Sequence, residues 1–470
     1  MFPGSRSAVK GALTSVARQV RFFLLLLVAA LCAAATASAT PMRPALSSLP
    51  FTQVGDAAAK AAHQTPICPN GFVCYSPSHL RDAYDFPNGR GAATGAGQTI
   101  VVVTAYGSPT IESDLAQFDA ENGLPDPPSF TIVPQQAPAL GTGTNDRQTW
   151  AIETSLDVEY AHSMAPDADI VLAVAVTDDT MDLRQVQLEV LPSYQGSIVS
   201  LSFGLDERIL FGGEPATPVA LDALYLAHVL GGGSIVASSG DLGASGFLPF
   251  VGGPAIPSAA YPASSPFVLA VGGTEGSPYP EGLWNGGRYG GEQAWNEAIP
   301  FGPGAGAGGG APSVVYAAPS WQAGLTDSQM RAEPDVSYNA AFNGGFLVVL
   351  GGHHGVGGGT SAGAPQWAAI VALANELRGR QGKPPVGLPT PQLWLLAADK
   401  NAYRQDFHDI TGGSNALGGP DSGLPGFDAR LGYDFATGLG TPDVARLVKD
   451  LAGRDAVRLR LDDLLRSKVR

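Results

Sequence analysis

The chain has 470 residues, 44% hydrophobic and 15% charged, with a formal net charge of −15. That length and apolar content suit one large domain, or two ordinary ones, with a substantial core. The negative balance excludes a nucleic-acid binder, because phosphate contacts need Lys and Arg patches.

Arg6, Lys10, Arg18 and Arg21 form a basic region ahead of an apolar run over residues 22–35. Ala37-Ser38-Ala39 then supplies a small-x-small cleavage pattern. This is the layout of a secretory signal peptide over residues 1–39. The run is too short to span a bilayer comfortably, and a signal anchor is the other reading. Cleavage predicts a secreted protein without stable membrane association, four positive charges poorer at −19. Residues 40–74 are rich in Ala, Pro and Ser without periodicity, as in a short leader or pro-segment. Cys68 and Cys74 remain in the exported chain. A disulfide between them is the economical reading, and two free thiols are the alternative.

From Tyr75 onward short apolar runs alternate with helical stretches. In chain order the expected elements are a strand over 99–104, helices over 111–122 and 147–163, and strands over 170–176 and 198–203. A helix over 218–230, strands over 234–237, 267–271 and 346–350, and a helix over 361–378 complete the set. Several strands are continuously apolar, as expected where both faces are covered. The alternation predicts an α/β fold with a mostly parallel central sheet and helices on both faces. Such sheets place ligands at the carboxyl ends of their strands. The Gly/Pro-rich stretch 276–319 reads as a long surface excursion. The main domain is expected over 75–450, with a charged tail over 451–470.

The sharpest segment is Gly357-Gly358-Gly359-Thr360-Ser361-Ala362-Gly363-Ala364-Pro365, followed by an apolar helical stretch. It sets a serine at a helix start, where free backbone N–H groups can hold an oxyanion. The bland reading is that Thr360 or Ser361 only caps the helix. A serine nucleophile needs a base, ordinarily histidine. Seven histidines are present, but none sits in a His-Gly-Thr helix start, so a histidine triad fails. Carboxylates offer another route. Glu153 and Asp157 stand at i and i+4 of a predicted helix and so share a face. A close carboxyl pair tends to share a proton and raise one pKa, giving a base suited to acid. A solvated helix face is the bland alternative. Ser238-Ser239-Gly240-Asp241 ends an apolar strand, and a protonated Asp241 there could donate to an oxyanion. Otherwise it is a turn aspartate.

Together these motifs resemble those of the sedolisins, serine-carboxyl peptidases with a subtilisin-like fold. Glu153-x-x-x-Asp157 resembles the helix bearing the general base and its supporting acid. Ser239-Gly240-Asp241 resembles the oxyanion segment, and Gly359-Thr360-Ser361-Ala362-x-Ala364-Pro365 the nucleophile loop. The resemblance runs from about Tyr75 to Asp443 and keeps the family's order. It implies an endopeptidase active in acid on polypeptide substrates, with Ser361 as nucleophile, Glu153 as base, Asp157 supporting it and Asp241 in the oxyanion hole. A monomer is expected.

Ser200-Leu201-Ser202-Phe203-Gly204 resembles the family's strand that pairs with substrate, implying Ser202, Phe203 and Gly204 as substrate-binding residues. Phe203 stands where Trp is usual. The segments Phe407-His408-Asp409-Ile410-Thr411 and Gly432-Tyr433-Asp434 resemble the family's calcium site. They imply one structural Ca²⁺ on a C-terminal loop region. Asp409 and Asp434 would bind by side chain, and Ile410, Arg430 and Gly432 by carbonyl. Arg430 replaces a common glycine. Typical members also carry a long N-terminal activation domain, where only about thirty-five residues separate the expected signal peptide from the domain here. A catalytically inactive, secreted binding protein is the competing reading.

Overall fold

A computed structural model describes residues 42–44, 52–54, 73–210, 220–276, 282–298 and 305–454. The expected signal peptide, most of the leader, and the tail beyond 454 lie outside the described residues. Among those described, no helix is long and apolar enough to cross a membrane.

The elements that frame the site run in this order. Two short strands, β1 (Arg43–Pro44) and β2 (Thr52–Val54), come first, in the stretch expected to be a leader. They precede β3 (Cys74–Tyr75) and helix α1 (Pro77–Ala83). Then come β4 (Thr99–Ala105), α2 (Ile111–Asn122), β5 (Phe130–Pro134) and α3 (Arg147–Met164). Next are β6 (Asp169–Ala175), α4 (Thr180–Val190), β7 (Ile198–Leu201) and β8 (Phe203–Asp206). Helix α5 (Ala220–Leu230) leads to β9 (Ser234–Ser238), β10 (Ala260–Tyr261) and β11 (Leu269–Glu275). Strands β12 (Gln293–Ala294), β13 (Val336–Asn339), β14 (Gly345–Leu350) and β15 (His353–Gly357) follow. Helices α6 (Gly363–Arg380) and α7 (Val444–Gly453) close the series.

The central sheet has the order β12-β11-β9-β7-β4-β6-β5, with β13 also paired to β11. Every pairing from β5 through β11, and that of β13, is parallel; only β12 runs against its neighbour. The continuous apolar runs have the expected cause. Ile100 and Val102 of β4 enter one core with Leu156 of α3 and Trp367 of α6. Val101 and Val103 enter the other, with Val186 of α4 and Leu224 of α5. Each large side chain so buried contributes about 1.5–3 kcal/mol, which fixes both helical layers on the sheet.

Three expectations are corrected. The apolar run 198–203 is two strands: β7 ends at Leu201, and β8 leaves the central sheet to lie between β1 and β10. Ser202 is the break, and its side chain is taken by the site. The stretch 276–319 is not simply a surface excursion, since its described part includes fully buried Trp295 and Ala307. Ala307 donates its N–H to Asp241 O at 3.0 Å, and Gly309 to Gly240 O at 2.7 Å. The boundary at 450 falls inside α7, whose Leu447, Val448 and Leu451 join the core.

Candidate active site

The site lies at the carboxyl ends of β7 and β9, between the start of α6 and the middle of α3. Gly359 has φ 94°, a left-handed conformation open to glycine, and starts a 3₁₀ turn over Thr360–Ala362 that leads into α6. Ser361 sits in that turn and makes no capping bond, so the bland reading of it as a cap does not apply. Gly363 lets the helix approach the sheet. A Cβ there would lie 2.7 Å from Val271 Cγ1 and 3.0 Å from Tyr338 Cβ.

Helix α3 brings two carboxyl groups to this point. Glu153 is 7% exposed and Asp157 fully buried, which rules out a solvated face. Asp157 Oδ1 accepts from Ser202 Oγ at 2.6 Å. Ser202 Oγ also lies 3.2 Å from the Ser361 carbonyl, while Ser361 Oγ donates to the Ser202 carbonyl at 3.4 Å. Burial, then the charge of Asp157, pushes Glu153 well above the usual carboxylate range; a hydrogen bond from Ser361 opposes this. Burial likewise raises Asp157, and the Ser202 bond opposes it. Glu153 Oε1 and Asp157 Oδ2 are buried without a hydrogen-bond partner among the described residues. Two such oxygens close together hold one proton between them more readily than none.

Asp241 approaches from β9 and is no exposed turn residue, being 1% accessible. Its Oδ1 accepts from Thr360 N at 2.8 Å and Thr360 Oγ1 at 2.7 Å. Burial pushes its pKa up to about 7 against those two bonds. Oδ2 has no partner among the described residues and can carry the proton. Thr360, which sequence reasoning passed over as a site residue, thus ties the Asp241 segment to the Ser361 turn. Its only signal was its place beside Ser361.

Five of the six described histidines are engaged elsewhere. His162 Nε2 lies 2.9 Å from Pro125 O and 3.3 Å from Asp119, and His228 Nε2 is 3.0 Å from Ser197 O. His354 bonds Glu121 at 2.6 Å, His79 bonds Ser76 at 3.0 Å, and His408 stacks on Tyr289. His353 is exposed, and His63 lies outside the described residues.

Of the implied substrate strand, Phe203 is buried beside Trp150, with ring centroids 6.2 Å apart. Gly204 pairs with Arg43 of β1. Of the implied calcium ligands, Asp409 accepts from Gly432 N at 3.2 and 3.1 Å, and Asp434 from Arg430 N at 2.8 Å. Both carboxylates therefore converge on one loop, and burial raises both, Asp434 to about 6. Ile410 is buried beside them. Among the described residues no group of three or more His, Cys, Asp or Glu could hold a metal, so a cation here would need backbone carbonyls as well. Cys74 is disulfide-bonded, while Cys68 lies outside the described residues.

No family model matches the chain. Kumamolisin from Bacillus sp. (strain MN-32) is 33% identical over 388 residues, covering 81% of this chain and 64% of its own length. Sedolisin from Pseudomonas sp. (strain 101) is 27% identical over 379 residues, covering 79% of this chain and 60% of its own length. The chain thus spans less than two thirds of these curated relatives. Among solved structures, Pseudomonas sedolisin, a serine-carboxyl proteinase complexed with two molecules of pseudo-iodotyrostatin, superposes with a TM-score of 0.68 at 26% identity. That alignment covers 82% of this chain and 99% of the other.

Proposed function

Since the chain belongs to the sedolisin family of serine-carboxyl peptidases, we propose that it is a serine endopeptidase hydrolysing polypeptides in acid through an acyl-enzyme on Ser361. One observation carries the reading. Ser361 lies among three buried carboxyl groups, each with an oxygen unpartnered among the described residues, while five of the six described histidines are engaged elsewhere and the sixth, His353, is exposed.

The chemistry follows from those positions. Ser361 Oγ attacks the scissile carbonyl carbon as its proton passes to Glu153. Asp157, held by Ser202, shares the pair's remaining proton and keeps Glu153 basic. Neutral Asp241 donates from Oδ2 to the developing oxyanion. Collapse expels the amine, which takes the proton from Glu153. Water then repeats the sequence on the ester and releases Ser361. The pair must hold one proton and Asp241 must keep its own, so the rate is bell-shaped in pH, with its upper limb near 7. Cleavage of an unfolded protein at acid pH tests the assignment, and Ser361→Ala should abolish it. Equal cleavage by that variant would refute it.

The reading extends to two further features. Asp409 and Asp434, with carbonyls of Ile410, Arg430 and Gly432, would hold one structural Ca²⁺. The pairing of two partly buried carboxylates on one loop supports this, because a hard cation would offset their charge. A calcium chelator should then lower the melting temperature, and no change would refute the site. Export with loss of residues 1–39 rests on the signal pattern, and N-terminal sequencing of the exported protein checks it.

A further inference from the structure

A cavity of about 580 Å³ opens beyond the carboxyl ends of β4, β5 and β6. That volume lies inside the roughly 300–1,000 Å³ range of ligand pockets, and open α/β sheets bind ligands at this edge. Its walls are mostly apolar, formed by Leu172 and Val174 of β6, Ile132 and Pro134 of β5, and Pro109. Ile132 is left 41% exposed on it. The one charged residue that lines it is Arg147, in the first turn of α3, and no carboxylate does.

The rim is built on strained backbone. Among the described residues only Asp85, Tyr106 and Asn145 combine a side chain with a left-handed φ, and two of these three shape the rim. Tyr106 has φ 58° and Asn145 φ 59°, conformations that the surroundings must hold in place. Asn145 N donates to Tyr106 Oη at 3.0 Å, and Tyr106 Oη donates to Asp178 at 3.2 Å. Together they carry Arg147. Its Nε donates to Asn145 Oδ1 at 2.9 Å, and its guanidinium carbon lies 4.8 Å from the Tyr106 ring centroid. Neither Nη group has a protein partner among the described residues. The neighbouring carboxylates are occupied by neutral donors: Asp178 accepts from Thr144 N at 2.7 Å, and Asp146 from Thr149 Oγ1 at 2.8 Å. The fork of Arg147 is thus fixed in direction and left open to an anion.

We infer that this cavity is a second binding site, for the end of a peptide whose last residue is apolar and whose free carboxylate pairs with Arg147. The apolar walls bury that side chain, and guanidinium and carboxylate match as a two-pronged pair. The edge of β5 away from β6 pairs with no strand among the described residues, and Ile132 and Pro134 lie on that strand. A peptide therefore has main-chain partners beside the cavity, which a hydrocarbon chain with the same head group cannot use. That decides for a peptide over a fatty acid. The inference concerns binding alone and does not rest on the catalytic reading, although a peptidase makes such carboxylates with every cut.

Isothermal titration of the full chain carrying Ser361→Ala tests it, because that variant leaves the probe uncut. The probes are N-acetyl-Ala-Ala-Leu with a free carboxylate, the same peptide as its amide, and decanoate. Measurement at about pH 6 keeps an α-carboxyl ionised. The peptide acid should bind at least tenfold more tightly than the amide or decanoate. Adding Arg147→Gln should erase the gap between acid and amide, and adding Ile132→Ser should weaken both alike. Arg147 and Ile132 are exposed, so each variant should melt with its parent. Acid binding unchanged by Arg147→Gln overturns the inference, since the peptide would then sit elsewhere, as at the catalytic carboxyls. Equal binding of acid and amide by the parent overturns it too. So does decanoate binding as tightly as the peptide acid, and so does the lack of saturable binding at millimolar peptide.

Discussion

Ser202 joins the two halves of the catalytic proposal. Its hydroxyl donates to Asp157 and its carbonyl accepts from Ser361. The hydroxyl favours the ionised form of Asp157. Ser202→Ala removes that bond, so the carboxyl pair should take its second proton at higher pH. The acid limb of the rate profile should then move up while the limb set by Asp241 stays. An unchanged acid limb would count against a shared proton. None of this coupling is legible in the sequence, because Ser202 and Asp157 are 45 positions apart. The motifs name Glu153, Asp157, Asp241 and Ser361 because each sits in a short, patterned segment. They are silent on Thr360 and Ser202 as partners, since a hydrogen bond between segments leaves no spacing to read.

At the scale of elements, the helices α2, α3 and α6 and the covered apolar strands were readable, and several other pieces were not. α3 is an 18-residue helix whose i, i+4 carboxyls point one way, a pattern set by helix geometry alone. β4, β7 and β9 show as apolar runs because both faces are covered. By contrast, β5 is an edge strand, largely exposed and ending in Pro134, with little apolar pattern to mark it. α4 escaped because polar residues such as Asp182 and Gln187 are buried along with its apolar ones. Asp182 accepts from Leu140 N at 2.6 Å and Gln187 from Tyr225 OH at 2.8 Å, so tertiary partners rather than local pattern place the helix. The break at Ser202 was hidden for a similar reason. Residues 198–203 are uniformly buried although they serve two sheets, and a run of buried residues does not reveal which sheet it joins.

Across the whole molecule, buried carboxyl groups are held chiefly by hydroxyls and amides. Asp222 accepts from Tyr316 at 2.7 Å and Ser265 at 2.9 Å. Glu292 accepts from Tyr84 at 2.7 Å and Thr441 at 2.6 Å. Arg331 and Asp335 form a buried ion pair at 2.5 Å, an exception to this pattern. Neutral donors do not depend on a charged partner, so such a core tolerates acid. Burial raises Asp119, Asp206 and Glu275 to about 7 and Asp222 to about 6. Their folded values exceed the unfolded ones near 4, so they stabilise fully below about 4. That contribution disappears as pH rises through 6 to 7. Burial lowers His162, His228 and, to about 4, His408, so these oppose folding as pH falls below their unfolded value near 6.5 and offset part of that gain. Melting temperature should therefore be several degrees higher near pH 4.5 than at pH 7.5, and a higher value at 7.5 would show that these carboxyls are not protonated when folded. The catalytic account depends most on the same property at one position, Asp241. The direct measurement is the pH dependence of peptide cleavage between 2 and 8 for wild type and Asp241→Asn. An amide keeps an acceptor for Thr360 and a donor toward the oxyanion at every pH. The account predicts that wild-type cleavage falls as pH passes about 7, and that the slower Asn variant lacks this fall. A wild-type rate that stays flat or rises up to pH 8, or an Asn variant with the same upper limb, would contradict it.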